Sequence, residues 1–304
     1  MTAYHPFRSM TAKEQYLKLY AMRAEKWPVD SQTRWVDTSY GQTFVRISGP
    51  GGALPLVLLH GAGGDSLQWI PNIEALSRRY RVYAVDNIND YSRSIYTQII
   101  KNADGYVNWL DELFSALKLG SNIRLVGLSY GGWLTGQYAL HFPDRLDKIV
   151  LLAPAGTVLS LRIEWILRAV LCFVPHRYFT RSFLFWLLED LAHKDEAGRI
   201  MLEEEVDAVF VRMRCYKPIR LVNPTVLEDE KLQRFKVPTL YLVGEHEKIY
   251  SARKAIQRLH RVAPHIKTEI IPNAGHDLTI VQAEMVNTKV LEFLNNRDDQ
   301  NKSG

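Results

Sequence analysis

Cysteine is nearly absent from this chain. Its 304 residues hold two, Cys172 and Cys215. Neither has metal-ligand spacing, and two thiols build no disulfide framework, so no metal site is expected. Both fit free thiols in a reducing compartment. The first residues, Met1-Thr-Ala-Tyr-His-Pro-Phe-Arg8, lack the apolar run of a signal peptide. The longest apolar stretches, Ala169 to Pro175 and Phe183 to Leu188, are far too short to span a bilayer. No stable membrane insertion is expected, and the simplest setting is the cytoplasm. Charge of one sign is not in large excess. The net charge is +5, with basic residues mostly alternating with acids. With no basic stripe and no recognition motif, nucleic acid is not an expected partner. No repeat period appears either.

What is present is apolar and alternating. Apolar residues make up 47% of the chain, enough for a large core in one α/β domain with an insertion, or in two domains. Residues 1–30 read as a helical arm: Thr11-Ala-Lys-Glu14 resembles a capping box, Tyr16, Leu17, Leu19, Tyr20 and Met22 follow at helical spacing, and Pro28 stops the run. Thr33–Thr38 and Thr43–Ser48 flank a turn and read as a hairpin. Strands are expected at Leu54–Leu59, Arg81–Asp86, Ile123–Val126, Lys148–Ala153, Pro238–Val243 and Lys267–Ile271. Helices are expected between them and at Asp277–Asn295. Residues 87–102 are polar and show no period. Such alternation implies a mainly parallel sheet with helices on both faces.

Within this frame, Gly127-Leu-Ser129-Tyr-Gly131 stands between a strand and a helix. That is the setting of a nucleophile elbow. The turn is tight enough that a side chain at Gly127 or Gly131 would clash, and it holds the serine in a strained conformation clear of the sheet. A serine hydroxyl is a weak nucleophile at neutral pH and needs a base. In an open parallel sheet, sites gather at the carboxyl ends of strands. The loops there are those after Leu59, Asp86, Val243 and Ile271. The last reads Pro272-Asn-Ala-Gly-His276-Asp277 and offers a histidine. The one before reads Gly244-Glu245-His-Glu247-Lys and offers carboxylates. Ser129, Glu247 and His276 thus follow in the order of the hydrolase elbow. Asp277, beside the histidine, fits better as a cap for its own helix.

On these motifs together with His60-Gly61-Ala62-Gly63-Gly64, the sequence resembles the α/β-hydrolase family over roughly residues 33–295, and within it carboxylesterase-like members with a helical cap. The resemblance implies a mostly parallel eight-stranded sheet. It divides the chain into a core of residues 31–156 and 236–296, a helical cap at 157–235 and a flexible tail at 297–304. It implies serine ester hydrolysis without metal or organic cofactor. Ser129 would be the nucleophile, His276 the base and Glu247 the orienting acid, with Glu245 as the competing acid. The oxyanion donors would be the N–H of Tyr130 and that of Ala62, with Gly63 as the second choice for the latter. His60 would support the oxyanion loop beside Gly61, rather than serve as a base.

Two features depart from the family pattern. A glutamate stands where the family usually has aspartate. After the fourth strand, Asp86-Asn-Ile-Asn-Asp90-Tyr-Ser-Arg-Ser94 is longer than usual and lacks the family's glycines, which leaves the acyl-side shape open. The insertion is rich in Trp165, Phe173, Tyr178, Phe179, Phe183, Phe185 and Trp186, so an ester substrate with an apolar portion is expected. Arg212, Arg214, Lys217 and Arg220 form a basic run that would suit an anionic substrate tail. The same triad also serves perhydrolase or haloperoxidase-like chemistry and carbon–carbon bond hydrolysis. A non-catalytic binding member of the fold is the alternative outside enzymology. Oligomeric state is not readable from the sequence.

Overall fold

The computed structural model describes residues 2–296; the expected tail at 297–304 lies outside the described residues. Nine strands form one sheet: β1 (Ser31–Thr38), β2 (Gly41–Ser48), β3 (Pro55–Leu59), β4 (Arg81–Val85), β5 (Ile95–Tyr96), β6 (Ile123–Leu128), β7 (Leu146–Leu152), β8 (Thr239–Gly244) and β9 (Lys267–Ile271). Eight lie in the order β1-β2-β4-β3-β6-β7-β8-β9, and β5 pairs with β2. From β4 to β9 along this path every pairing is parallel; the contacts of β2 with β1, β4 and β5 are antiparallel. The expectation of eight strands misses β5, because two residues are too few to show a period.

The central strands β6 and β8 are buried on both faces, which is why they read as continuous apolar runs. Side chains alternate across the sheet. Val57 and Leu59 point into one core with Trp109 and Leu113 of α3 (Ala103–Ala116), Trp133 and Tyr138 of α4 (Tyr130–His141) and Leu259 of α10 (Ala252–Val262). Leu56 and Leu58 point the other way, toward Tyr16 and Tyr20 of α1 (Met10–Ala24), Ile73 of α2 (Ile70–Ser77) and Val290 of α12 (Ala283–Asn295). The edge strand β1 is exposed along most of its length and carries Arg34 and Asp37, polar side chains that discourage pairing with another chain.

Two helix ends differ from the sequence expectation. α1 starts two residues earlier than a cap at Thr11 implies: Ser9 is the N-cap and accepts the Ala12 N–H. The last helix is broken at Gln282 into α11 (Leu278–Val281) and α12.

Between β7 and β8 come α5 (Ile163–Leu171), α6 (Arg177–Leu187), α7 (Glu189–Lys194), α8 (Glu196–Cys215) and, after an extended stretch, α9 (Asp229–Gln233). Leu184, Leu191, Ala192, Leu202 and Val206 make a small separate core, seated on Ile280 and Val281 of α11. The N-terminal arm reaches this insertion. Phe7 bridges Tyr216, Arg8 N–H donates to the Cys215 carbonyl and Lys217 N–H to the Pro6 carbonyl. Among the described residues, no helix is long and apolar enough to cross a membrane.

Candidate active site

Ser129 sits between β6 and α4 at φ 54° and ψ −113°, a strained conformation for a residue with a side chain. The sheet and helix enforce it. Ser129 N–H donates to the Leu152 carbonyl of β7, and its own carbonyl accepts from Trp133 and Ala155. A Cβ on Gly127 would lie 2.1 Å from the Gly131 oxygen, and one on Gly131 would lie 2.2 Å from the Leu59 oxygen. Only hydrogen fits at either position.

At the carboxyl ends of β8 and β9, Glu247 and His276 meet. His276 Nδ1 is 3.0 Å from Glu247 Oε2, and both side chains are buried. The second carboxylate oxygen, Oε1, accepts the Ile249 N–H at 2.9 Å, so the acid is held at both ends. Burial alone would pull the His276 imidazole down; the Glu247 carboxylate outweighs it and holds the ring above its ordinary 6.5. Glu245 faces elsewhere. It is largely exposed, and its carboxylate accepts the Asn273 N–H at 3.3 Å. Among the described residues the Ser129 hydroxyl has no hydrogen-bonded partner. Nδ1 is committed to Glu247, which leaves Nε2 as the ring atom open to a serine proton.

The loop after β3 can be read one amide at a time. Gly61 N–H donates to Gln68 Oε1 at 2.8 Å, Gly63 N–H to the Asp90 carboxylate at 3.0 and 3.2 Å, and Gly64 N–H to the Gly61 carbonyl at 3.1 Å. Ala62 N–H alone in this run has no acceptor among the described residues. Its direction is fixed through the peptide plane, where carbonyl and N–H point opposite ways. The Gly61 carbonyl is pinned by His60 Nδ1 at 2.8 Å as well as by Gly64. His60 also accepts the Asn87 N–H on Nε2 at 2.8 Å, and burial lowers its pKa below 6.5, so the ring stays neutral and bracing. Tyr130 is the first residue of α4, where an N–H lacks a helical acceptor. Its side chain is anchored: the hydroxyl donates to the Val222 carbonyl at 3.0 Å and the ring packs on Tyr106 and Trp133.

The loop at Asp86–Ser94 is turned inward. Asp86 accepts the Ser66 and Arg93 N–H groups at 2.7 and 2.8 Å; burial and neighbouring Asp65 push it up to about 6. Asp90 accepts from Gly63 and Tyr91, so part of this loop's polar content braces the loop after β3. The basic run also differs from expectation. Arg212 is buried, paired with Asp65 at 3.0 Å, and Arg214 donates to the carbonyls of Cys172, Phe173 and Val174. Arg212 is spent inside the protein and Arg214 on backbone carbonyls of the insertion, so both guanidiniums are already engaged.

Sequence reasoning missed Gln68, Asp90, Arg212 and the true role of Asp277. The Asp277 carboxylate accepts Leu191 N–H at 2.7 Å and Gly275 N–H at 3.0 Å, so it caps α7 from across the fold and makes no cap bond to α11. No local pattern signals partners that lie so far apart in the chain.

Comparison with known proteins identifies the family and agrees with this fold. The model of the alpha/beta hydrolase family matches residues 56–288. A Bacillus subtilis (strain 168) protein named uncharacterized carboxylesterase nap is 35% identical over 283 residues, covering 92% of each chain. The crystal structure of naproxen esterase (carboxylesterase NP) from Bacillus subtilis superposes with a TM-score of 0.86 at 32% identity, over 95% of this chain and 100% of that one. Carboxylesterase CesB (YbfK) from Bacillus subtilis gives 0.85 at 31%, over 94% and 99%.

Proposed function

The chain belongs to the alpha/beta hydrolase family, and from that premise we propose that it cleaves carboxylic esters through an acyl-enzyme on Ser129. The His276–Glu247 hydrogen bond carries the reading, because it ties a buried base to an orienting acid at the carboxyl ends of β8 and β9, the same end of the parallel sheet as the elbow after β6.

Each step uses a group already described. Ser129 Oγ attacks the acyl carbon and its proton passes to His276 Nε2. Glu247 holds Nδ1–H and stabilises the imidazolium. The carbonyl oxygen takes the negative charge and is met by the N–H groups of Ala62 and Tyr130, each worth about 10²–10³ in rate. The ester C–O bond breaks, and the alcohol leaves with the proton from His276. Water then attacks the acyl-enzyme, His276 takes its proton and returns it to Ser129, and the carboxylic acid departs. His60, Gly61, Gly127 and Gly131 serve as supports. No metal and no organic cofactor enters any step.

The substrate is a small ester with an apolar portion, a reading supported by the half-buried ring set Trp165, Phe183 and Trp186 of α5 and α6. Two free thiols, Cys172 and Cys215, support a cytoplasmic setting.

A fluorophosphonate probe tests the assignment. Labelling is expected at Ser129, and Ser129→Ala should abolish it while lowering ester turnover on the order of 10⁴–10⁶. Turnover near that of the wild type in this variant would sink the reading. A panel of acyl esters of graded length then measures the apolar portion.

A further inference from the structure

The loop that presents Ala62 is held from two distant elements. At Gly63, the N–H side of the backbone is gripped by the Asp90 carboxylate, 3.0 and 3.2 Å away. Its carbonyl accepts a hydrogen bond from Arg212 Nη1. The same guanidinium reaches Asp65 Oδ2 with Nη2 at 3.0 Å. Asp65 in turn caps the turn that follows the loop, accepting Leu67 N–H at 3.0 Å. Gly63 itself adopts φ +73°, a left-handed conformation natural to glycine. It has no side chain with which to hold that conformation, so its neighbours must. Arg212 and Asp65 are 2% and 1% exposed, so water does not weaken the pair.

Arg212 belongs to α8, in the insertion, and Arg23 of α1 approaches the same Asp65 oxygen at 3.5 Å. A buried cation costs several kcal/mol to desolvate. An apolar side chain could fill the space without that cost. What it could not do is fork between a carbonyl and a carboxylate, a geometry that the planar guanidinium supplies and a lysine does not.

We propose that Arg212 is a positioning residue for the oxyanion loop: by clamping the Gly63 carbonyl and Asp65 together, it keeps Ala62 N–H aimed at the developing oxyanion. The inference rests on the Ser129 reading. It gives the insertion a part in the chemical step, separate from any contact with substrate.

The test compares Arg212→Lys and Asp90→Asn with the wild type. Active sites are counted by end-point fluorophosphonate labelling, and kcat is taken per labelled site. Expected is a fall in kcat of about 10–100-fold, below the effect of deleting an oxyanion donor outright, with KM changed much less. Affinity for a boronic acid, whose serine adduct is tetrahedral, should fall by a similar factor. Asp90→Asn acts from the other side of Gly63 and leaves the Arg212–Asp65 pair intact, so it reports even if the Arg212 variant folds poorly. Unchanged kcat per labelled site and unchanged boronate affinity, with only fewer active molecules or a lower melting temperature, would overturn the proposal. Failure of the wild type to label at Ser129 would instead remove the reading on which it stands.

Discussion

Glu247 carries a side chain one methylene longer than the aspartate usual at this place, and its loop accommodates the length. Glu247 N–H closes a turn onto the Gly244 carbonyl, and the carboxylate spans from Ile249 N–H to His276. The direction of the His276 shift sets a pH dependence. Only the neutral ring can accept the serine proton. A ring held above 6.5 by Glu247 therefore places the acidic limb of kcat/KM above pH 6.5. Glu247→Gln removes the charge, so the limb should move to lower pH while the plateau drops by about 10³–10⁴. A pH–rate profile of both proteins checks this, and a larger effect from Glu245→Gln would reassign the acid. At this scale the sequence was informative where chemistry is local to a loop. Ser129, His276 and Glu247 each follow a strand, and their order is a pattern. Gln68, Asp90 and Arg212 were not legible, because they act through the N–H and carbonyl groups of distant backbone, and a backbone partner leaves no mark on composition.

The element that best shows this limit is α7. Its only buried apolar contacts come from Leu191 and Ala192, and much of its hold on the core is polar. Asp277 caps it at Leu191, Glu189 pairs with Lys248, and Asp190 meets His246 Nδ1 at 2.8 Å. Both core loops involved are those that carry Glu247 and His276. Asp277→Ala should cost about 0.5–2 kcal/mol, the range of a lost helix cap, and should speed amide exchange in α7 ahead of the sheet. Glu189→Gln, at an exposed pair, should cost under about 1 kcal/mol. Denaturant titration and hydrogen exchange read both, and equal effects would show that Asp277 is not the anchor. Strand positions were legible because parallel strands buried on both faces must be apolar runs. β5 and the break at Gln282 were not, since each is shorter than the period that would reveal it.

At the scale of the whole molecule, polar ties fasten helices to the sheet. Lys148 lies on the buried strand β7, and its Nζ donates to the carbonyls of Phe293, at 2.9 Å, and Asn296 near the end of α12. Lys148→Met keeps the stem and removes the donor to the carbonyl of buried Phe293. A loss of about 1–3 kcal/mol is expected, seen as a lower denaturation midpoint at unchanged slope. The parallel-sheet class followed from the alternation of strands and helices. How the pieces are fastened did not, because Lys148 reads only as a strand residue until its partners arrive.

The strap formed where Phe7 pairs with Tyr216 has a consequence for anyone recombining such proteins. Residues 6–8 hold the end of α8, and α8 carries Arg212 to Asp65. The smallest portable piece is therefore discontinuous. A chimaera that imports the insertion alone arrives without its matching arm, and one that trims the arm loosens a helix whose last turn reaches the loop after β3. Parent and donor must be cut so that the arm, α8 and the His60–Asp65 loop descend from one parent.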